Sequence, residues 1–360
     1  MPAAPVKKRG HVLTTTKLKI ALTADPELPV PPTLYGGIER IIDMLARGLV
    51  RRGHEVTLFA HAGSQSAGDL VKWRGTNSRN LWDTVQNATA LWRQVQTGKF
   101  DIVHSFSRIA YLTPILTHST PKLMSYQREI SRKTTKLAHD LARGSLEFSA
   151  ISDWMIEPVN DIGTWHMIPN GVDLAIYDFV PSVPADAPFV FLGRIEEIKG
   201  PHLAIEIAKR TNRKLVIAGN IPSEKQAWVD AHVLPHVDGA QITYVGPVND
   251  AQKNKLLGQA AAFLMPILWE EPFGIVMAEA LACGTPVIGL KRGVVPEVVE
   301  DGISGIVRNT LDELVEAIQA PINLSRQACR SRAETAYSES VIVDQYAELY
   351  QQMVAKRGHS

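Results

Sequence analysis

The sequence predicts an α/β protein made of two helix-covered parallel sheets facing each other across a cleft. Three observations carry this. Short β-branched runs alternate with stretches of helical period along most of the chain. The alternation breaks once, in a segment holding Pro181, Pro184 and Pro188, and then restarts. Stretches rich in glycine and charge directly follow strands, the places where open α/β sheets bind ligands. With 360 residues, 45% of them hydrophobic, the chain can bury a core in each of two ordinary-sized domains.

The first 16 residues, MPAAPVKKRGHVLTTT, are basic but lack the apolar core of a secretory signal, and they read as a disordered leader. KLKIALTA then reads as a strand. GIERIIDMLARGLVRR reads as a helix with Ile38, Ile41, Ile42, Leu45 and Leu49 on one face, and EVTLFA as the next strand. DIVHSF, KLMSY, FSAIS and HMIP supply further strands and complete a first domain over 17–172. Residues 173–188 form the linker. The strands FVFLG, KLVIAG, ITYVG, AAFLMP, PVIGL and GIV build a second domain over 189–335. Residues 336–360 carry Val341, Val343, Tyr346, Leu349 and Met353 at near-helical spacing and predict a terminal helix.

Composition excludes several classes. The net charge is +1, so bulk electrostatics demand no polyanion, and no nucleic-acid partner is expected. Cys283 and Cys329 are too few for a disulfide framework and have no zinc-type spacing, which fits a reducing, cytoplasmic setting. No apolar run approaches the ~18 residues of a membrane span. Neither first strand is followed by G-x-G-x-x-G, and no G-x-x-x-x-G-K-[ST] loop occurs, which argues against a dinucleotide dehydrogenase or a P-loop enzyme. Asp-x-Asp, a common metal-holding pair, is also missing.

The densest motif is WEEPFGIVMAEALACGTPVIG, starting at Trp269. Pro272 suits a first helical turn, Gly274 a tight turn, Ile275 to Ala282 a helix, and Gly284 its end. Glu279 then lies mid-helix among Val276, Met277, Ala280 and Leu281, where an ionised carboxylate needs a ligand or a cation. Earlier, Gly36 and Gly37 stand directly before the first helix. Paired glycines there let backbone N–H groups approach an anion, although a turn needing positive φ is an equally simple reading. In FLGRIEEIKG, Gly193 follows a strand, and Arg194 and Lys199 could clamp a diphosphate or form a water-screened surface pair beside Glu196 and Glu197. His104 ends a strand and could reach the cleft. Ser152 and Asp153 read as a helix cap, and Glu297 as serving the helix start after Pro296. Residues 127–143 are basic through Arg128, Arg132, Lys133, Lys136 and Arg143, a solvated face or a site for an anionic acceptor or lipid headgroup.

In chain order, Gly36-Gly37, IPNGVD at 168–173, the GR and KG of 193–200, and EEPFGIVMAEALACGTPVIG resemble the retaining family-4 glycosyltransferases of the GT-B fold, from about Lys17 to Tyr350. The resemblance implies two Rossmann-like domains, with the terminal helix crossing back onto the first. It implies that Glu271 meets donor-sugar hydroxyls, Glu279 the ribose, and Arg194 and Lys199 the diphosphate. Gly36, Gly37, Gly193, Phe273, Gly274, Ile275 and Val248, the last within a Gly246 to Val248 turn, would line the donor. Many relatives carry a histidine at or beside Gln127; here the glutamine would keep only a positioning role, with His104 the remaining imidazole candidate. The expected reaction moves a sugar from a nucleotide-diphosphate sugar, UDP-sugar favoured, to a sugar, lipid-linked or small-molecule acceptor. It retains configuration and needs no metal or other cofactor. Weak peripheral membrane contact is expected from the basic stretch. The competing readings are a nucleotide-sugar epimerase or hydrolase on the same fold, and a non-catalytic sugar-nucleotide-binding partner subunit.

Overall fold

The computed structural model describes residues 16–32, 36–320 and 322–358. Nearly all of the leader therefore lies outside the described residues. Two wholly parallel sheets form the frame. The first contains β1 (Lys19–Thr23), β2 (Glu55–Ala60), β3 (Asp69–Lys72), β4 (Ile102–Ser105), β5 (Lys122–Tyr126), β6 (Leu146–Ala150) and β7 (Trp165–Met167). Its order is β3-β2-β1-β4-β5-β6-β7. The second contains β8 (Phe189–Leu192), β9 (Leu215–Ala218), β10 (Ile242–Tyr244), β11 (Ala262–Met265), β12 (Val287–Leu290) and β13 (Gly305–Arg308), in the order β10-β9-β8-β11-β12-β13. In each sheet the chain order reverses beside the first strand, between β1 and β4 and between β8 and β11. Such a reversal opens a crevice beyond the strand ends, because the connecting helices leave on opposite faces. At β8 and β11 that crevice receives residues 193–200 and 266–274.

Burial follows the sequence pattern. Ile41, Ile42, Leu45 and Leu49 of the helix Gly37–Arg51 are buried against β1 and β2, while the helices Leu81–Gln96 and Arg132–Ala142 bury Leu91, Val95, Ala138 and Ala142 in a separate cluster. Edge strand β3 has no signature in DLVK, because none of its side chains is fully buried and four residues carry too little alternation. The terminal helix Glu339–Gly358 returns to the first domain and packs on Gly37–Arg51. A Cβ on Gly48 would stand 2.5 Å from Val343 Cγ2, so glycine sets this close crossing. Arg52 reaches Asp344 at 2.6 Å, and Arg51 pairs with Glu339.

Candidate active site

The loop between β11 and the helix Ile275–Ala282 holds the most constrained carboxylate. Glu271 is buried, and its Oε2 accepts from Lys199 Nζ at 2.5 Å and from Trp269 Nε1 at 3.0 Å. Lys199 also stands 4.6 Å over the Trp269 ring, so its charge is held by a carboxylate and an aromatic face together. The backbone carbonyl of Glu271 accepts from Trp154 Nε1 at 3.1 Å, anchoring the loop to the first domain. Glu270 is exposed and accepts the N–H of Gly293. Pro272 lies outside the helix, which begins at Ile275 behind Gly274 in the left-handed region at φ 62°. The chain must turn there before it can wind, and a turn of that hand selects glycine. Phe273 is buried edge-on to Tyr337, with ring centres 5.7 Å apart.

Glu279 lies one turn along that helix, buried, and it has found a cation. Its Oε1 accepts from Lys253 Nζ at 2.5 Å and from the Tyr177 hydroxyl at 2.6 Å. Its Oε2 is buried without a hydrogen-bond partner among the described residues. Burial and the neighbouring Glu279 charge both push the Tyr177 hydroxyl far up, so it remains a donor. Lys253 and Tyr177 escaped the sequence reading: one sits in a capped polar helix and the other in the linker, and neither lies in a motif.

Arg194 follows β8 and pairs with Glu196 at 2.8 Å, while Lys199 is drawn to Glu271 rather than to the neighbouring acids. Gly193 leaves its surroundings open, since a Cβ there would meet nothing nearer than 4.0 Å. Val248 is half-buried beyond β10, two residues after Gly246 at φ 74°.

On the first domain, Gly36 has extended backbone at φ 167°, which corrects the positive-φ reading. It is glycine for space, because a Cβ would stand 2.7 Å from Pro32 and 2.8 Å from Glu39 Oε2. Gly37 opens the helix with nothing within 4 Å of such a Cβ. Gln127, just past β5, accepts from Asn170 Nδ2 at 2.8 Å, leaving its own Nε2 buried and without a partner among the described residues.

Three further expectations are corrected. His104 does not reach the cleft: it is fully buried, bonded to Tyr350 at 2.5 Å and Ser125 at 2.6 Å, and burial pushes its pKa down to about 3. Strand β4 turns the histidine toward the returning helix, whose tyrosines enclose it. Ser152 occupies the N-cap position of the short helix Asp153–Ile156, but its hydroxyl donates to the Pro272 carbonyl at 2.9 Å instead of capping. The cap comes from the other domain, where Glu297 accepts from the backbone N–H groups of Asp153 and Trp154 at 2.8 and 3.1 Å. Glu297 therefore serves a helix start across the domain boundary and not its own.

The glycosyl transferases group 1 family matches residues 180–338, and Glycosyltransferase Family 4 matches residues 35–176. The chain belongs to these glycosyltransferases. The family-4 match runs from just before Gly36 into the linker, and the group 1 match covers both Glu271 and Glu279. This glycosyltransferase is 25% identical to the spore coat protein SA of Bacillus subtilis over 81% of its own length and 85% of that protein. It is 29% identical to the D-inositol 3-phosphate glycosyltransferase of Xylanimonas cellulosilytica over 78% and 82%. Its fold is that of Anabaena HepE, solved with UDP and glucose, at a TM-score of 0.69 and 18% identity over 93% of this chain and all of that one. The two-domain GT-B architecture follows.

Proposed function

We propose that this glycosyltransferase moves a sugar from a nucleotide-diphosphate sugar, UDP-sugar in first place, to an acceptor with retention of configuration and without a metal. The observation that carries the reading is the state of Glu279: a buried carboxylate with one oxygen doubly bonded to protein donors and the other, Oε2, without a donor. A buried acceptor of this kind is costly alone, and a ribose hydroxyl supplies the missing donor. Glu271, eight residues before Glu279 and held by Lys199, is oriented for the hydroxyls of the sugar beyond the diphosphate.

The chemistry needs charge stabilisation more than a nucleophile. Cleaving the sugar–phosphate bond builds negative charge on the leaving diphosphate, which Lys199 and Arg194 meet as preorganised cations. In same-face attack the leaving phosphate accepts the acceptor's proton, so the site requires no carboxylate nucleophile. Gln127, fixed by Asn170, offers a free amide donor for the sugar or acceptor. HepE's complex with UDP and glucose supports a uridine donor. The acceptor is read as a sugar, a lipid-linked or a small-molecule acceptor. Weak peripheral membrane contact is supported by exposed Leu137 and Leu141, one turn apart beside Lys133 and Arg143, and by exposed Leu81 and Trp82 on a helix packed into the same core cluster. Two buried free cysteines fit a reducing cytoplasm.

The decisive experiment incubates the protein with UDP-, GDP- and ADP-sugars, with and without acceptors, in excess chelator, and follows nucleotide release. Release from one donor, raised by an acceptor, is expected. Release that appears only when Mg²⁺ or Mn²⁺ is restored refutes metal independence.

A further inference from the structure

The helix Asp250–Gly258 contacts the first domain, the linker and the helix that carries Glu279. Its N-terminus is built locally, with Asn249 and Gln252 forming a reciprocal capping box. From that rigid start Asp250 reaches across the cleft, and its Oδ2 accepts from Arg40 Nη1 at 2.9 Å. Arg40 belongs to the first turn after Gly36-Gly37 in the opposite domain. One turn along, Lys253 Nζ stands 3.3 Å from Asp250 Oδ1 and 2.5 Å from Glu279 Oε1. The next residue, Asn254, is bonded to the linker both ways, donating to Asp178 Oδ2 at 2.8 Å and accepting from the Asp178 N–H at 3.0 Å. The linker's Tyr177 adds its hydroxyl to Glu279.

We infer that Arg40, Asp250, Lys253 and Glu279 form an ionic chain that couples nucleotide binding to closure of the two domains, with Arg40 and Asp250 as positioning residues. The inference rests on the donor reading of Glu279. Lys253 shares its charge between Asp250 and Glu279, so the position of one carboxylate sets the other. A ribose hydroxyl on Glu279 Oε2 fixes that carboxylate, Lys253 is held with it, and Asp250 is presented to Arg40. The Arg40 bridge spans the two domains, so cleft opening breaks it. Linkage makes the effect reciprocal: if the nucleotide favours the bridged arrangement, removing the bridge weakens the nucleotide by the same factor, although Arg40 need not touch it.

The test titrates UDP, GDP and ADP into the intact chain by calorimetry and measures the radius of gyration by small-angle scattering with and without each nucleotide. Arg40→Ala should weaken the preferred nucleotide about three- to fivefold, the size set by one half-exposed ion pair, and should reduce the ligand-induced compaction. Arg40→Lys should restore both. In a Glu279→Gln background the same Arg40→Ala change should have almost no effect on affinity, because the chain is already broken; Lys253→Met gives a second such background should the first fail to fold. An Arg40→Ala protein that binds like wild type overturns the coupling, as does an equal loss in both backgrounds. If wild type binds none of the three nucleotides, the donor reading falls and the coupling with it.

Discussion

The acids of the second domain and those of the first are handled in opposite ways. Glu271 and Glu279 are both buried, and each has a lysine within 2.5 Å. Across the cleft, Asp25, Glu27 and Glu39 interact with one another, and Arg128 is the cation that acts on Asp25 and Glu39. Backbone N–H groups help: Ser78 donates to Glu27 at 2.6 Å and Arg108 to Asp25 at 3.3 Å. Even so, burial, then the charge of Glu27, pushes Asp25 up to about 6, and burial raises Glu39. The two glutamates of the second domain, Glu271 and Glu279, are charge-matched within the protein itself. The first domain holds carboxylates whose charge is only partly compensated, and burial leaves the Asp25 carboxyl holding its proton up to about 6. On the proposed donor reading, a diphosphate makes the same demand in every reaction of this kind whereas the acceptor differs, which accounts for preorganisation being concentrated in the second domain.

The comparison is broken most directly at Lys199. Lys199→Ala removes the cation that fixes Glu271 and that, on the proposed reading, meets the leaving phosphate, so turnover at saturating donor should fall on the order of a hundredfold or more, about 3 kcal/mol. A loss below tenfold would mean that the donor side is no better organised than the first domain. Glu279→Gln should act on binding instead. It removes charge from the nucleotide site and leaves Lys253 facing a neutral amide, so nucleotide affinity should drop by about tenfold, measured with the bare diphosphate as competitor, while turnover at saturation changes less. Unchanged affinity with a lowered melting temperature would reassign Glu279 to the core.

The frame of both domains was legible because strand runs and helical periods survive in parallel sheets that are buried on both faces. β3 was not, since a four-residue edge strand has neither length nor alternation. The glutamate pair was legible through its placement around a helix start, and so was the need of Glu279 for a ligand or a cation. That the cation is Lys253 was not, because residues 26 apart in sequence meet only through the packing of two helices. His104 misled for a related reason. A strand end marks the side of a sheet that faces a cleft, but the direction of a single side chain depends on what covers that face, here a helix arriving from the far end of the chain. Glu297 capping a helix in the other domain is a long-range event of the same kind.

His104 gives the third prediction, a loss of stability without a change in mechanism. His104→Ala empties a site bonded to Tyr350 and Ser125 and packed against Phe106 and Tyr346, and should cost about 2 kcal/mol or more in denaturant unfolding. The folded ring stays neutral down to about 3, whereas an unfolded histidine takes a proton near 6.5. Its contribution is therefore complete above that higher value and shrinks as pH falls below it. The variant should lose this part of the acid sensitivity, and its pH–rate profile should match that of wild type. A profile that loses a limb near 6.5 on substitution would return His104 to the chemistry.

The smallest expected effect tests the first domain's acids. The folded Asp25 carboxyl binds its proton up to about 6, against 3.8 for the ordinary value, so between those two values the folded state holds a proton that the unfolded chain has released. Stability from this group is thus present below the lower value, declines as pH rises through the window, and is absent above about 6. Asp25→Asn keeps the shape and removes the titration, so the melting temperature should rise slightly at pH 7, by a degree or two on the order set by a change under ~1 kcal/mol, and should stay level between pH 4 and 6 where wild type declines. Activity separates the two sides of the comparison. If Asp25 serves the acceptor, its loss should raise the acceptor KM while the affinity for the bare nucleotide, set by the lysine-paired glutamates, stays as in wild type. A variant whose nucleotide affinity falls along with its acceptor affinity would show that the two carboxylate groups form one site, and that the contrast between them is only one of charge balance.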